Sequence, residues 1–198
     1  MARTKEFDPA KALAKAMSVF WRYGYENTST ESLMREMGIA KQSLYDTFGD
    51  KRSLYLKALA YYRDETNTAG RKLLQSERSV RRGFAKLLFG IASETKEQHE
   101  RGCLLLSANL ERDTGDAEIA ELLRGNQAEV RSIFVEALHR AQANGELSNK
   151  QDPVALARFF TVTIQGMRSM ARLKSDRRAL RQVAKLALAV FDKKQRAA

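Results

Sequence analysis

The chain has 198 residues, 43% of them hydrophobic, and a formal net charge of +11. That length holds one mid-sized domain or two small ones sharing a core, and no apolar run nears the roughly 20 residues that span a bilayer. The start, Met1-Ala2-Arg3-Thr4-Lys5-Glu6, lacks the apolar stretch of a signal peptide. A single cysteine, Cys103, with only His99 and His139 beside it, rules out an internal disulfide and leaves no metal site to expect, so a reducing cytoplasm fits.

The first helix is predicted from about Pro9 to Tyr23. Asp8 at the N-cap and Pro9 at the first helical position form a start signal, because the aspartate accepts from free N–H groups and proline lacks one. Leu13, Ala16, Met17 and Phe20 form its inward stripe, Trp21 reads as core, and Gly24 ends it. The second helix runs from about Thr30 to Met37, capped by Thr28 in a Thr28-x-x-Glu31 box or by Ser29. Gly38 is expected to take the left-handed conformation of a tight turn. A third helix follows from about Lys41 to Phe48 and a fourth from about Lys51 to Gly70. Two short helices joined by a glycine turn outline a helix-turn-helix, whose second helix can enter the DNA major groove.

Beyond Gly70 the pattern stays helical. Val80, Phe84, Leu87, Leu88 and Ile91 mark a fifth helix, Cys103 to Leu110 a short apolar sixth, and Ile119 to Leu138 a long seventh stopped at Asn144-Gly145. The eighth runs from about Pro153 to Leu173 and the ninth from about Asp176 to Asp192. No strand alternation or long repeat stands out. The reading is all-α with about nine helices: a helix-turn-helix domain over 1–55, the fourth helix (about 51–70) as connector, and a helical bundle over 56–198 for effector binding and dimerisation.

The eighth helix carries two apolar stripes, Ala157, Phe160, Ile164, Met167 and Ala171 on one side and Phe159, Val162, Gly166, Met170 and Leu173 on the other. Two stripes imply burial on both sides, so one closes the protomer and the other meets a second copy. The interface is expected at Phe160, Ile164, Met167 and Met170, with Leu186 and Val190 of the ninth helix.

On the third helix Leu44 and Phe48 anchor the core, leaving Lys41, Gln42, Ser43, Tyr45 and Asp46 for the outer face. Lys41 and Lys51 can meet phosphates, Gln42 and Ser43 can read base edges, and the Tyr45 hydroxyl can reach a phosphate. Asp46 repels phosphate; it can accept from a cytosine amine or pair with a neighbouring cation. The basic excess lies elsewhere: residues 1–60 hold ten Lys/Arg against seven Asp/Glu, whereas 166–198 hold ten against two. Bulk charge therefore supports DNA binding only weakly. Arg3 and Lys5 form either a solvated tail or a DNA-reaching arm.

Gly24-Tyr25, Thr28-Ser29, Gly38-Ile39, Leu44-Tyr45-x-x-Phe48 and Gly49-x-Lys51-x-x-Leu54 stand in one register. With that set of motifs, residues 9–60 resemble the DNA-binding region of the TetR family of bacterial repressors. The rest of the chain is similar in helix layout, and Gly102-Cys103-Leu104 and Asn144-Gly145-Glu146-Leu147 resemble one broad subgroup. Three positions depart from the family pattern: Ala40 stands where a capping Ser or Thr is usual, Gln42 replaces a frequent glycine, and Thr47 replaces a common aromatic or histidine.

The resemblance implies a homodimeric, ligand-responsive regulator, usually a repressor, that binds a palindromic operator and is released by a small-molecule effector. It implies a cap and phosphate contact at Thr28 or Ser29, phosphate contacts at Tyr45 and Lys51, and a groove-facing set of Lys41, Gln42 and Ser43. Tyr62, Phe84, Leu88, Cys103, Leu106, Leu110, Phe134 and Leu138 are the expected effector-pocket lining, each equally readable as ordinary core. Some relatives sense oxidants or electrophiles through a cysteine placed like Cys103; the plainer reading is a small buried apolar residue. No cofactor, metal or membrane is called for. An enzyme would need a metal cluster, a phosphate-binding glycine loop or a histidine paired with a nucleophile, and the sequence offers none. The alternative is a nucleoid- or RNA-binding protein using the basic C-terminal helices.

Overall fold

A computed structural model describes residues 7–111, 116–174 and 176–192; Arg3 and Lys5 lie outside these residues. The described residues form α1 (Pro9–Tyr23), α2 (Thr30–Met37), α3 (Lys41–Phe48), α4 (Lys51–Ser76), α5 (Val80–Ser93), α6 (Lys96–Arg101), α7 (Leu104–Glu111), α8 (Ala117–Ala143), α9 (Pro153–Leu173) and α10 (Arg177–Leu188). A 3₁₀ turn, Ala189–Phe191, closes them, and no strand occurs among them. The fold is all-α, as the periodicity requires. Two elements differ from the sequence expectation. α4 continues through Gly70 to Ser76, because an interior glycine weakens a helix by about 1 kcal/mol without stopping one followed by good helix formers. α6 is additional: six polar residues whose start is fixed by a capping box between Thr95 and Gln98.

Packing divides the chain into two compact units. The first takes Met1–Glu65 together with Cys103–Leu123. Its core sets Ala16, Phe20, Leu33, Leu44, Leu54, Ala58 and Leu59, all without exposed surface, against Leu104, Leu105, Ala108, Ile119 and Leu123. The compact body holding the helix-turn-helix is thus larger than 1–55 and discontinuous in sequence.

The second unit takes Thr66–Gly102 and Arg124–Ala198. In it α10 packs along α5 and α9, and α9 also meets α5 and α6. Phe84 sits at the centre, with ring centroids 4.2 Å from Phe160, 5.3 Å from Phe134 and 5.9 Å from Phe191. Each such ring contributes roughly 1.5–3 kcal/mol by burial alone.

This aromatic cluster corrects the expected interface. Phe160 and Met167 are 0% and 1% exposed, so both belong to the protomer's own core and present no surface to a partner. Ile164 and Val190 are half-buried against the same cluster. The other α9 stripe is the one left open: Phe159, Val162, Gly166, Met170 and Leu173 are exposed, and on α10 Leu186 is 75% exposed. Two of the C-terminal cations have partners inside the protomer. Arg168 binds the Glu94 carboxylate at 2.6 Å, and Arg177 donates to the Glu94 carbonyl at 2.7 Å.

Candidate nucleic-acid interface

The site is built on α2, its turn and α3, all within the first unit. Ser29 is the N-cap of α2: its hydroxyl accepts from the Ser32 N–H at 3.1 Å and is exposed. That cap and the free N–H groups of the first turn hold the Glu31 carboxyl below its usual range, its own backbone N–H contributing most. Thr28 behaves differently. It is 2% exposed, and its hydroxyl donates to the Gly24 carbonyl at 2.6 Å. A buried hydroxyl already committed to a carbonyl cannot reach a phosphate, so Thr28 is removed from the DNA-facing set and serves to close the turn between α1 and α2.

Gly38 ends α2 with φ 73° and ψ 36°, the left-handed conformation the turn requires. Ala40 opens α3 with no side-chain cap, consistent with its lacking an acceptor. Leu44 and Phe48 are 0% and 4% exposed and fix which face of α3 looks inward. Lys41, Gln42, Tyr45 and Asp46 are left exposed on the other face, Tyr45 at 47%, with Ser43 half-buried beside them. The residue types expected to meet DNA are therefore brought together on one solvent-facing surface.

Lys51 is half-buried at the first turn of α4, its ammonium 4.2 Å from the centre of the Tyr25 ring. That ring is itself held 4.8 Å from Tyr55. A cation over an aromatic face is restrained in position without being paired to an anion. Burial pushes the Tyr25 and Tyr55 hydroxyls up from their ordinary range, so both stay uncharged beneath it.

Two residues that no motif marks also shape the site. Lys57 donates to the Phe48 carbonyl at 2.8 Å and satisfies the end of α3. Arg52 bonds Asp116 at 3.0 Å and also binds Glu118. Asp116 accepts from the Ile119 N–H as well, capping α8. The Arg52 partners lie more than 60 residues away in the chain, where no local spacing signals them.

The expected effector-pocket residues divide between the units. In the second, Phe84, Leu88 and Leu138 are wholly buried and Phe134 is 6% exposed, all as packed core. In the first, Tyr62 packs edge-on at 4.8 Å from Trp21, and Cys103 and Leu106 are half-buried. Leu110 is 73% exposed, which removes it as lining of an enclosed pocket. Two recesses of the second unit lie elsewhere. One, of about 250 Å³, is bordered by Gln142, the 145–149 turn, Gln151 and Val190, Phe191 and Asp192. The other, of about 160 Å³, is lined by Arg71, Leu74, Gln75, Ile133, Glu136, Ala137 and Arg140. None of the expected lining residues borders either.

Among the described residues no helix is long and apolar enough to cross a membrane. None of their His, Cys, Asp and Glu side chains gather in threes to hold a metal.

With the site in view, comparisons with known proteins bear directly on it. Residues 12–58 match the family model described as bacterial regulatory proteins, tetR family, and residues 84–187 match the tetracyclin repressor-like C-terminal domain. The helix-turn-helix-type transcriptional regulator YezE of Bacillus subtilis (strain 168) is 32% identical over 194 residues, covering 97% of this chain and 100% of the relative. The helix-turn-helix-type transcriptional repressor ComR of Escherichia coli (strain K12) is 33% identical over 186 residues, covering 92% and 88%. A solved cysteine mutant of the TetR family transcriptional regulator CifR, complexed with 26-base-pair double-strand operator DNA, superposes with a TM-score of 0.82. It shares 32% identity, over 94% of this chain and 98% of that one.

Proposed function

The chain belongs to the TetR family of bacterial transcriptional regulators, and from that premise we propose that it represses transcription as a homodimer on a palindromic operator, released when a small molecule enters its larger C-terminal region. One observation carries the DNA reading: the exposed face of α3, where Lys41, Gln42, Tyr45 and Asp46 stand clear of a helix seated on Leu44 and Phe48. Backbone contacts from Lys41, Lys51, Tyr45 and Ser29 set register, while Gln42 and Ser43 reach base edges.

Dimerisation is supported by the open α9 stripe together with Leu186. A contiguous apolar surface of that kind marks an association site. Two-fold pairing sets two copies of α3 about 34 Å apart, one turn of DNA. Release requires a ligand that binds the non-binding arrangement better. Moving the population from 1:99 to 99:1 takes roughly 10⁴-fold differential affinity. The basic-protein alternative loses one cation to an ion pair, Arg168 with the Glu94 carboxylate.

The test is selection from random duplex DNA with the purified full chain, followed by titration of variants. An inverted repeat should emerge. Lys51→Ala should weaken binding evenly across sequences and reduce the salt dependence by about one phosphate per protomer. Recovery of no preferred sequence, or full retention of binding after Lys41→Ala and Lys51→Ala are combined, overturns the reading.

A further inference from the structure

We propose that Asp46 reads a cytosine: its carboxylate accepts a hydrogen bond from the exocyclic N4 amine of one C·G pair in each operator half-site and fixes the base there. The proposal rests on the reading of α3 as the major-groove helix.

Asp46 is exposed on the DNA-facing side of α3 and has no hydrogen bond or ion pair among the described residues. Three cations of the flanking helices have partners of their own. The Lys51 ammonium lies over Tyr25, Arg52 is held by Asp116 and Glu118, and Arg35 lies 3.8 Å from Glu36. The carboxylate is therefore presented to the groove as a bare acceptor. Its surroundings oppose it twice. It sits in the last turn of α3, which carries no basic residue of its own and ends in carbonyls with partial negative charge, Phe48's being met by Lys57. Against duplex DNA it meets phosphate charge every few ångströms. Asp46 thus lowers affinity for every sequence except one that offers a donor within its reach.

The major groove offers two such donors, the N4 amine of cytosine and the N6 amine of adenine. Beside the adenine N6 lies the N7 acceptor, which repels a carboxylate, whereas beside the cytosine N4 lies a C–H edge. Cytosine is the better fit. Gln42, also exposed, precedes Asp46 by four residues, which places both on one face about 6 Å apart along the helix. Its amide matches the N6 and N7 of adenine. The two side chains can read base pairs separated by one or two steps of about 3.4 Å, so the cytosine belongs next to, or one pair removed from, the position that Gln42 reads.

The experiment takes the selected operator and titrates the full-length wild type, Asp46→Ala and Asp46→Asn against every single-pair variant of one half-site. At one position the wild type should prefer C·G over T·A by roughly ten- to hundredfold. Asp46→Ala should bring that ratio to within about twofold, leave the other positions unchanged and bind non-specific DNA more tightly. Asp46→Asn should shift the preference at the same position toward A·T, since an amide can bond both N6 and N7. Unchanged preferences at every position in Asp46→Ala, or an equal loss at all positions, overturn the assignment while leaving the repressor reading intact. A wild type without sequence preference overturns both. Asp46 is exposed, so its variants should fold, and matching circular-dichroism melts confirm it.

Discussion

Thr28 and Ser29 are adjacent hydroxyl residues with separate duties. Ser29→Ala removes a helix cap and should lower stability by about 1 kcal/mol. Thr28→Val leaves the part-buried Gly24 carbonyl without its donor and should cost about 1–2 kcal/mol. Urea midpoints at constant slope measure both. The two motif glycines also differ. Gly38 lies in the left-handed region, with no atom nearer than 4.0 Å to an added Cβ, so Gly38→Ala should cost about 1 kcal/mol. Gly49 has φ 83° and ψ −146°, outside that region, and an added Cβ would stand 3.1 Å from the Ser53 Cβ. Gly49→Ala should therefore cost more, about 2–3 kcal/mol. Equal losses in the two denaturation curves would contradict this account of the turns.

The start of α5 shows how an element can depend on a distant side chain. Glu146, in the loop before α9, accepts from the Ser79 hydroxyl at 2.7 Å and from the Val80 and Arg81 N–H groups at 3.1 Å. Burial pushes its carboxyl up, but these bonds together with Asn144 pull it further down, to a net position below the ordinary value of 4.5. The folded state then binds fewer protons than the unfolded one. The stabilisation is complete above about 4.5 and is lost as pH falls through the depressed value. Glu146→Gln should cost about 1 kcal/mol at neutral pH, the low end for charge-assisted bonds because solvent screens the carboxylate. The difference between the two proteins should shrink in melts recorded below that range. Periodicity in the sequence is enough to place α1 to α3, α5 and α9, since each carries a regular stripe and all but α3 open on a capping side chain. It gave no sign of α6, whose Lys96-Glu-Gln-His-Glu-Arg101 run has one inward residue, His99; the Thr95-x-x-Gln98 spacing was the available clue. It also revealed two stripes on α9 without ranking them. Phe84 and Phe191 decide that, and only the folded chain brings them to Phe160.

For the whole molecule, the contrast between those stripes makes a test of assembly. Val162→Asp places a charge on the open face, 67% exposed in the protomer. It should raise the dimer dissociation constant at least about a hundredfold, because an unpaired charge in an apolar interface costs several kcal/mol. Sedimentation would show this with the protomer's melting temperature little changed. Phe160→Ala should do the reverse, removing about 3–5 kcal/mol of folding stability through a core cavity. A dimer indifferent to Val162→Asp would mean association uses another surface. The helix-turn-helix was legible in the chain because its determinants lie within a few residues of one another, whereas the partners of Arg52 and the floor of the first unit are supplied from beyond residue 100. That discontinuity governs how such regulators can be recombined. A chimera that grafts only the first 65 residues onto a relative would leave Leu54, Tyr55, Leu59 and Tyr62 facing foreign side chains. Carrying Cys103–Leu123 along transplants the reading head with its own foundation.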